Sequence, residues 1–120
     1  MNSQKKGKSG ELELAHKLNE YGFECRRTQQ FCGKGGESAD VIGLPYIHIE
    51  CKRVEKLNID EALLQAIRDR KPENIPAVFH RRNNTPWKVT LKLDDFMKIY
   101  QEYYSSMKIK ELEKENEDDE

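Results

Sequence analysis

The chain has 120 residues, with 21 Lys and Arg against 22 Asp and Glu and 36% apolar residues. That length supports one compact core and not two, and the formal net charge of −1 lacks the basic excess usual in nucleic-acid binders. No apolar run nears the roughly 20 residues of a membrane span, and three unpaired cysteines, Cys25, Cys32 and Cys51, do not read as a disulfide framework.

Residues 1–8 are expected to form a flexible basic arm, and with no apolar stretch behind it this segment is not expected to be a secretory signal. A first helix is predicted from about Ser9 to Tyr21, because Leu14, Leu18 and Tyr21 recur at helical spacing and Gly22 supplies a stop. Phe23–Gln29 alternates and predicts a strand, and residues 30–37 (QFCGKGGE), with three glycines, predict a loop. Ser38–Gly43 and Tyr46–Arg53 predict two strands joined through Leu44-Pro45 as a hairpin. In the second of them Ile47, Ile49 and Cys51 fall on one face and His48, Glu50 and Lys52 on the other.

Asn58 with Glu61 forms a capping box that opens a helix running to about Arg70, with Leu63, Leu64 and Ile67 as its expected buried stripe. Ile75–Arg81 predicts an apolar strand, Asn83–Pro86 a turn, and Trp87–Leu93 an alternating strand. Asp94 or Asp95 is the expected cap of a third helix, from about Phe96 to Tyr104 or beyond. The order is α-β-β-β-α-β-β-α, a single domain over residues 1–107. The tail, residues 108–120, carries three Lys and seven acids, and is expected either to extend the last helix or to be disordered. Residues 1–107 then hold 18 basic and 15 acidic groups, so the body is mildly basic.

The chemistry lies between Asp40 and Lys52. On a hairpin centred at Pro45, Asp40 sits opposite Glu50, and directly opposed residues place their side chains on one face about 5 Å apart. Two carboxylates so close repel, and a divalent cation between them removes the repulsion. Lys52 projects on the same face. Asp40 and Glu50 are therefore candidate ligands for Mg²⁺, with Mn²⁺ as a substitute, and the backbone carbonyl of Cys51 is the natural third. Lys52 is the candidate to orient the attacking water or offset charge on a phosphate. Glu11 is placed to join from the first helix, on the metal or through a water. With His16, His48 and His80, the cysteines lack the CxxC or HxxxH spacing of a zinc site.

These residues resemble the PD-(D/E)xK nuclease superfamily, and within it the archaeal-type Holliday-junction resolvases and their phage relatives. The resemblance is carried by KKGKSGELEL (5–14), GFECRRT (22–28), SADVIGL (38–44) and IHIECKR (47–53), and covers about residues 5–100. Ala39 stands where the motif's name has Pro. The resemblance implies an α/β, restriction-endonuclease-like fold, with a mixed central sheet of about five strands flanked by helices. Glu11, Asp40, Glu50 and Lys52 fall on the catalytic positions in order. Glu13 is an alternative to Glu11; the two lie about 200° apart on a helix, so only one faces the site, and the spacing from Gly7 favours Glu11. Gln65 matches an assisting glutamine on the following helix. Ser38, in a loop like the family's, is placed to bind a phosphate.

Lys5, Lys6, Lys8, Arg26, Arg27 and Lys34 cluster in the first 34 residues as candidate phosphate contacts, with Arg81 and Arg82 at a hairpin tip. No motif that reads base edges is present. The resemblance implies a structure-selective, Mg²⁺-dependent endonuclease for branched DNA, a four-way junction above all. It implies a homodimer, with no membrane and no small-molecule cofactor, in the cytoplasm of a bacterial, archaeal or phage-infected cell. Phe79, Trp87 and Val89, and Tyr100, Tyr103 and Tyr104, are candidates for either core or dimer interface. A nuclease for flaps, nicks or duplex, or a catalytically silent nucleic-acid binder on the same fold, are the alternatives.

Overall fold

A computed structural model describes residues 3–28 and 39–118, with side chains from Gly7 onward. The predicted glycine loop, with Cys32, Lys34 and Ser38, lies outside the described residues. In chain order the elements are α1 (Ser3–Asn19), β1 (Arg26–Arg27), β2 (Val41–Ile42), β3 (Ile47–Arg53), α2 (Ile59–Asp69), β4 (Ile75–Arg81), β5 (Lys88–Thr90) and α3 (Leu93–Asp118). The sheet runs β1-β2-β3-β4-β5. Only β3 and β4 are parallel, with α2 as their crossover.

Alternation along β3 sorts the two faces. Val41, Ile49, Ala77 and Phe79 pack with Leu14 and Ala15 of α1, whereas Val78 packs with Ala62 and Ala66 of α2. Fully burying an aliphatic side chain such as Leu14 or Ile49 contributes about 1.5–3 kcal/mol. Because helices cover both faces, His48, Ile49 and Glu50 are all buried in the central strand. The register Val41↔Ile49 is that of a hairpin centred at Pro45. Its turn depends on Gly43, at φ +118°: a Cβ there would come within 2.4 Å of the Glu24 carbonyl oxygen.

Asn58 caps α2 as its spacing requires, accepting the Glu61 N–H at 3.1 Å. The buried stripe of α2 is Ala62 and Ala66 rather than the leucines, because small side chains let the helix lie close on Val78; Leu63 packs at the margin and Leu64 is exposed.

Several boundaries differ from the sequence expectation. The arm expected over residues 1–8 is helical from Ser3, because lysines are good helix formers and the packed segment from Gly10 onward templates the turns before it. β1 is two residues long because its partner β2 is bounded by the Gly43 turn and by the departure of Asp40. α3 starts at Leu93, where Phe96 N–H donates to the Lys92 carbonyl at 3.0 Å. Asp94 and Asp95 lie in its first turn instead of capping it, a favourable place for acids.

α3 continues through the acidic tail to Asp118, 26 residues in all, and gives the molecule its 64 Å long axis. Phe79 is core, Trp87 is partly buried against that core, and Val89 remains exposed. Among the described residues no helix is long and apolar enough to cross a membrane.

Candidate active site

The site forms where β2 and β3 part. Asp40 N–H donates to the Ile49 carbonyl at 3.0 Å, and one step later its own carboxylate replaces the backbone, with Oδ2 accepting the Cys51 N–H at 2.8 Å. In an extended strand the N–H and C=O of one residue point to the same edge, so the Cys51 carbonyl opens toward Asp40 as well. Thr28 secures the other side of Asp40: its N–H donates to the Asp40 carbonyl at 3.1 Å and its hydroxyl to the Ala39 carbonyl at 2.6 Å.

Glu50 is 1% exposed, and its Oε2 has no hydrogen-bond partner among the described residues. Lys52 Nζ lies 3.8 Å from Glu50 Oε1. Burial, and then the charge of Glu50 beside it, push the Asp40 carboxyl up to about 7, against the pull of the Cys51 N–H. Burial chiefly, with Asp40, Glu11 and Glu50 adding to it, pushes the Cys51 thiol up, so this cysteine is no thiolate nucleophile. Two buried carboxyls this close hold charge together only when a cation lies between them.

Among the described residues no group of three or more His, Cys, Asp or Glu side chains converges on a point that could hold a metal ion. The donor set that fits a hard divalent ion is two carboxylates, Asp40 and Glu50, and the Cys51 carbonyl, an all-oxygen set that leaves room for water. The orphaned Glu50 Oε2 and the raised Asp40 carboxyl both answer to such an ion.

Glu11 and Glu13 separate as helix geometry requires. Glu11 accepts from Arg27 Nε at 3.0 Å, and its charge is felt at Asp40 and Cys51. Glu13 is held by Arg53 at 3.3 Å and by a close pair with Arg81, and its charge reaches Cys51 but is not among those acting on Asp40. α1 is pinned to the end of β3 at Gly10, where a Cβ would come within 2.4 Å of the Arg53 Cβ. Exposed Lys8 lies two residues before that contact, and Lys5 and Lys6 precede it on the same helix. The side chains of Lys5 and Lys6 lie outside the described residues.

Of the other sequence candidates, Arg26 and Arg82 are exposed and Gln65 is half-buried on α2 beside Ala66. Arg27 and Arg81 are committed within the protein, to Glu11 and Glu13; Arg81 also donates from Nε to the Thr85 carbonyl at 2.7 Å. Arg81 is thus a tie between β4 and α1 rather than a free cation at the hairpin tip.

His48, which the sequence places on the Glu50 face without giving it a role there, is buried beside the acid. It is 1% exposed on the Glu50 face, and its Nε2 lies 3.8 Å from Glu50 Oε2, both atoms without a hydrogen-bond partner among the described residues. The alternation along β3 places it there; its burial depends on the long-range cover that the sequence does not display.

An α-β-β-β-α-β-β-α chain with a five-stranded mixed sheet, and Asp and Glu-x-Lys meeting where two central strands part, defines a PD-(D/E)xK, restriction-endonuclease-like protein. The family described as "Phage putative PDDEXK endonuclease" matches residues 2–120, and the chain belongs to it. No curated protein and no solved structure matches the chain significantly.

Proposed function

We propose that the protein is a Mg²⁺-dependent, structure-selective DNA endonuclease that acts as a Holliday-junction resolvase, making paired symmetric nicks as a homodimer. The observation that carries the nuclease reading is the buried Asp40–Glu50 pair with the Cys51 N–H on Asp40 and Lys52 3.8 Å from Glu50. Asp40, Glu50 and the Cys51 carbonyl would hold the ion, with Glu11 reaching it through a water. The ion, when bound, lowers the pKa of a water and polarises the phosphodiester.

The rest falls to the chain. Lys52, one-third exposed at the edge of the pair, orients the attacking water and offsets charge on the phosphate oxygens as the transition state develops. Arg27 keeps Glu11 turned toward the site. Lys8, with Lys5 and Lys6 on the same helix end, and exposed Arg26 and Arg82 offer phosphate contacts without base reading, which suits recognition by shape. Lys34 and Ser38 complete the proposed phosphate contacts, and Gln65 is the proposed assisting residue on α2. The junction preference rests on the resemblance of about residues 5–100 to the resolvases, and a DNA substrate would place the protein in the cytoplasm.

Cleavage of a four-way junction, a flap, a nicked duplex and an intact duplex, each with Mg²⁺, tests this. Paired nicks at symmetric positions in the junction alone are expected. Equal cutting of the intact duplex contradicts the resolvase reading, and tight binding with no cutting of any substrate contradicts the enzyme.

A further inference from the structure

α3 leaves most of its apolar surface uncovered. Only Asp95 of its 26 residues is buried, and among the described residues no other helix or strand packs substantially along it. On a helical projection Leu93, Phe96, Met97, Ile99, Tyr100, Tyr103, Tyr104 and Met107 fall on one side, at the three- and four-residue steps of a helix-pairing seam. Asp94, Lys98, Gln101, Glu102 and Ser105 take the opposite side. The seam is ordered in advance: the ring of Tyr100 lies 6.1 Å from Phe96, 6.3 Å from Tyr103 and 6.4 Å from Tyr104.

Its side chains are between 39% and 72% exposed, which leaves roughly 800 Å² of surface uncovered, more than a monomer usually shows in one patch and about one partner's share of a stable interface.

We propose that this stripe is the interface with a second copy of the chain, the two α3 helices packing antiparallel about Tyr100. It specifies the surface of the homodimer proposed above and rests on that reading for the number of copies; it does not depend on what the protein cleaves. The orientation follows from charge. Residues 111–118 carry five acids and one lysine, so parallel packing sets two acidic ends side by side. Antiparallel packing sets Leu93 near Met107 of the other copy, and the acidic end then runs on by about 16 Å toward the exposed Lys88 and Lys92 at the start of the partner helix.

The experiment is sedimentation equilibrium on the full chain, with cysteine cross-linking for orientation. Wild type should sediment at twice its 14.1 kDa. Tyr100→Glu/Met107→Glu should sediment as a monomer, its dimerisation weakened at least about 100-fold, with an unchanged circular-dichroism spectrum because both side chains are exposed. Tyr100→Cys should cross-link to itself on oxidation and Met107→Cys, on the same seam, should not, each compared with the unsubstituted chain. A monomeric wild type overturns both the homodimer and this surface. A dimeric Tyr100→Glu/Met107→Glu variant overturns the surface alone, and self-cross-linking through Met107→Cys overturns the antiparallel orientation.

Discussion

The Asp40 carboxylate accepts the backbone N–H of Cys51 at 2.8 Å, in the position that the next backbone carbonyl of β2 would fill had that strand continued. A side chain thus ends the ladder, and in doing so brings the Asp40 carboxyl, the Cys51 carbonyl and Glu50 to one place. The geometry explains why both acids sit in the middle of a sheet, where an unpaired charge is costly.

Asp40→Asn and Glu50→Gln each remove one charged ligand without adding bulk. Each should lower cleavage by at least about 1000-fold while leaving DNA binding and the fold in place. Lys52→Ala should lower it about 100- to 1000-fold with divalent-ion affinity kept. Single-turnover cleavage beside a binding assay on the same DNA checks all three; wild-type rates in any of them would remove that residue from the site.

Stability without metal should fall as pH rises. The Asp40 carboxyl keeps its proton up to about 7 in the folded chain and loses it near 3.8 when unfolded. Between those values the folded state binds more protons, so this contribution is fully present below 3.8 and is lost as pH climbs through about 7. In EDTA the melting temperature at pH 8 should lie at least about 4 °C below that at pH 5. Asp40→Asn should flatten the difference, and an unchanged slope in that variant would contradict the assignment to Asp40.

Saturating Mg²⁺ or Mn²⁺ should raise the melting temperature of wild type at pH 8, since an ion bound only by the folded state stabilises it. Neither Asp40→Asn nor Glu50→Gln should respond to the same concentration. A full response in both would place the ion elsewhere.

The two acids of α1 should part in function. Glu13→Ala loses ion pairs to Arg53 and Arg81 and should cost about 1 kcal/mol of stability with little change in metal affinity. Glu11→Ala should weaken cleavage more than stability. Urea unfolding beside cleavage rates separates them, and the reverse pattern would make Glu13 the helix acid.

Close approach makes Gly10 and Gly43 intolerant of a side chain. Alanine at either position meets atoms at 2.4 Å, and at Gly43 a positive φ adds strain, so each should cost about 1–3 kcal/mol in urea unfolding. At Gly10 the shift of α1 against Arg53 should also lower cleavage.

What the sequence made legible is what local pattern determines. Strand alternation and the Leu44-Pro45 link set Val41 opposite Ile49, which brings Asp40 to Glu50; Asn58 and Glu61 mark the start of α2; Ile75–Arg81 is a strand of the expected length. Long-range contact determines the rest. Arg81 reads as a hairpin-tip cation until Glu13, 68 residues away, is seen to hold it. His48 reads as a polar face residue until the cover on that face buries it. Phe79 reads equally as core or interface because only the fold says which side of β4 meets α1. The tail reads equally as a helix extension or as disorder, because among the described residues the later turns of α3 pack substantially on no other helix or strand.

The most direct test is cleavage of a four-way junction by wild type and Glu50→Gln, in Mg²⁺ and in EDTA. Wild type should nick opposing strands in Mg²⁺ only, and Glu50→Gln should bind the junction and leave it whole in both. Cleavage by wild type in EDTA, or by Glu50→Gln at the wild-type rate, would contradict a metal centre built on Asp40 and Glu50.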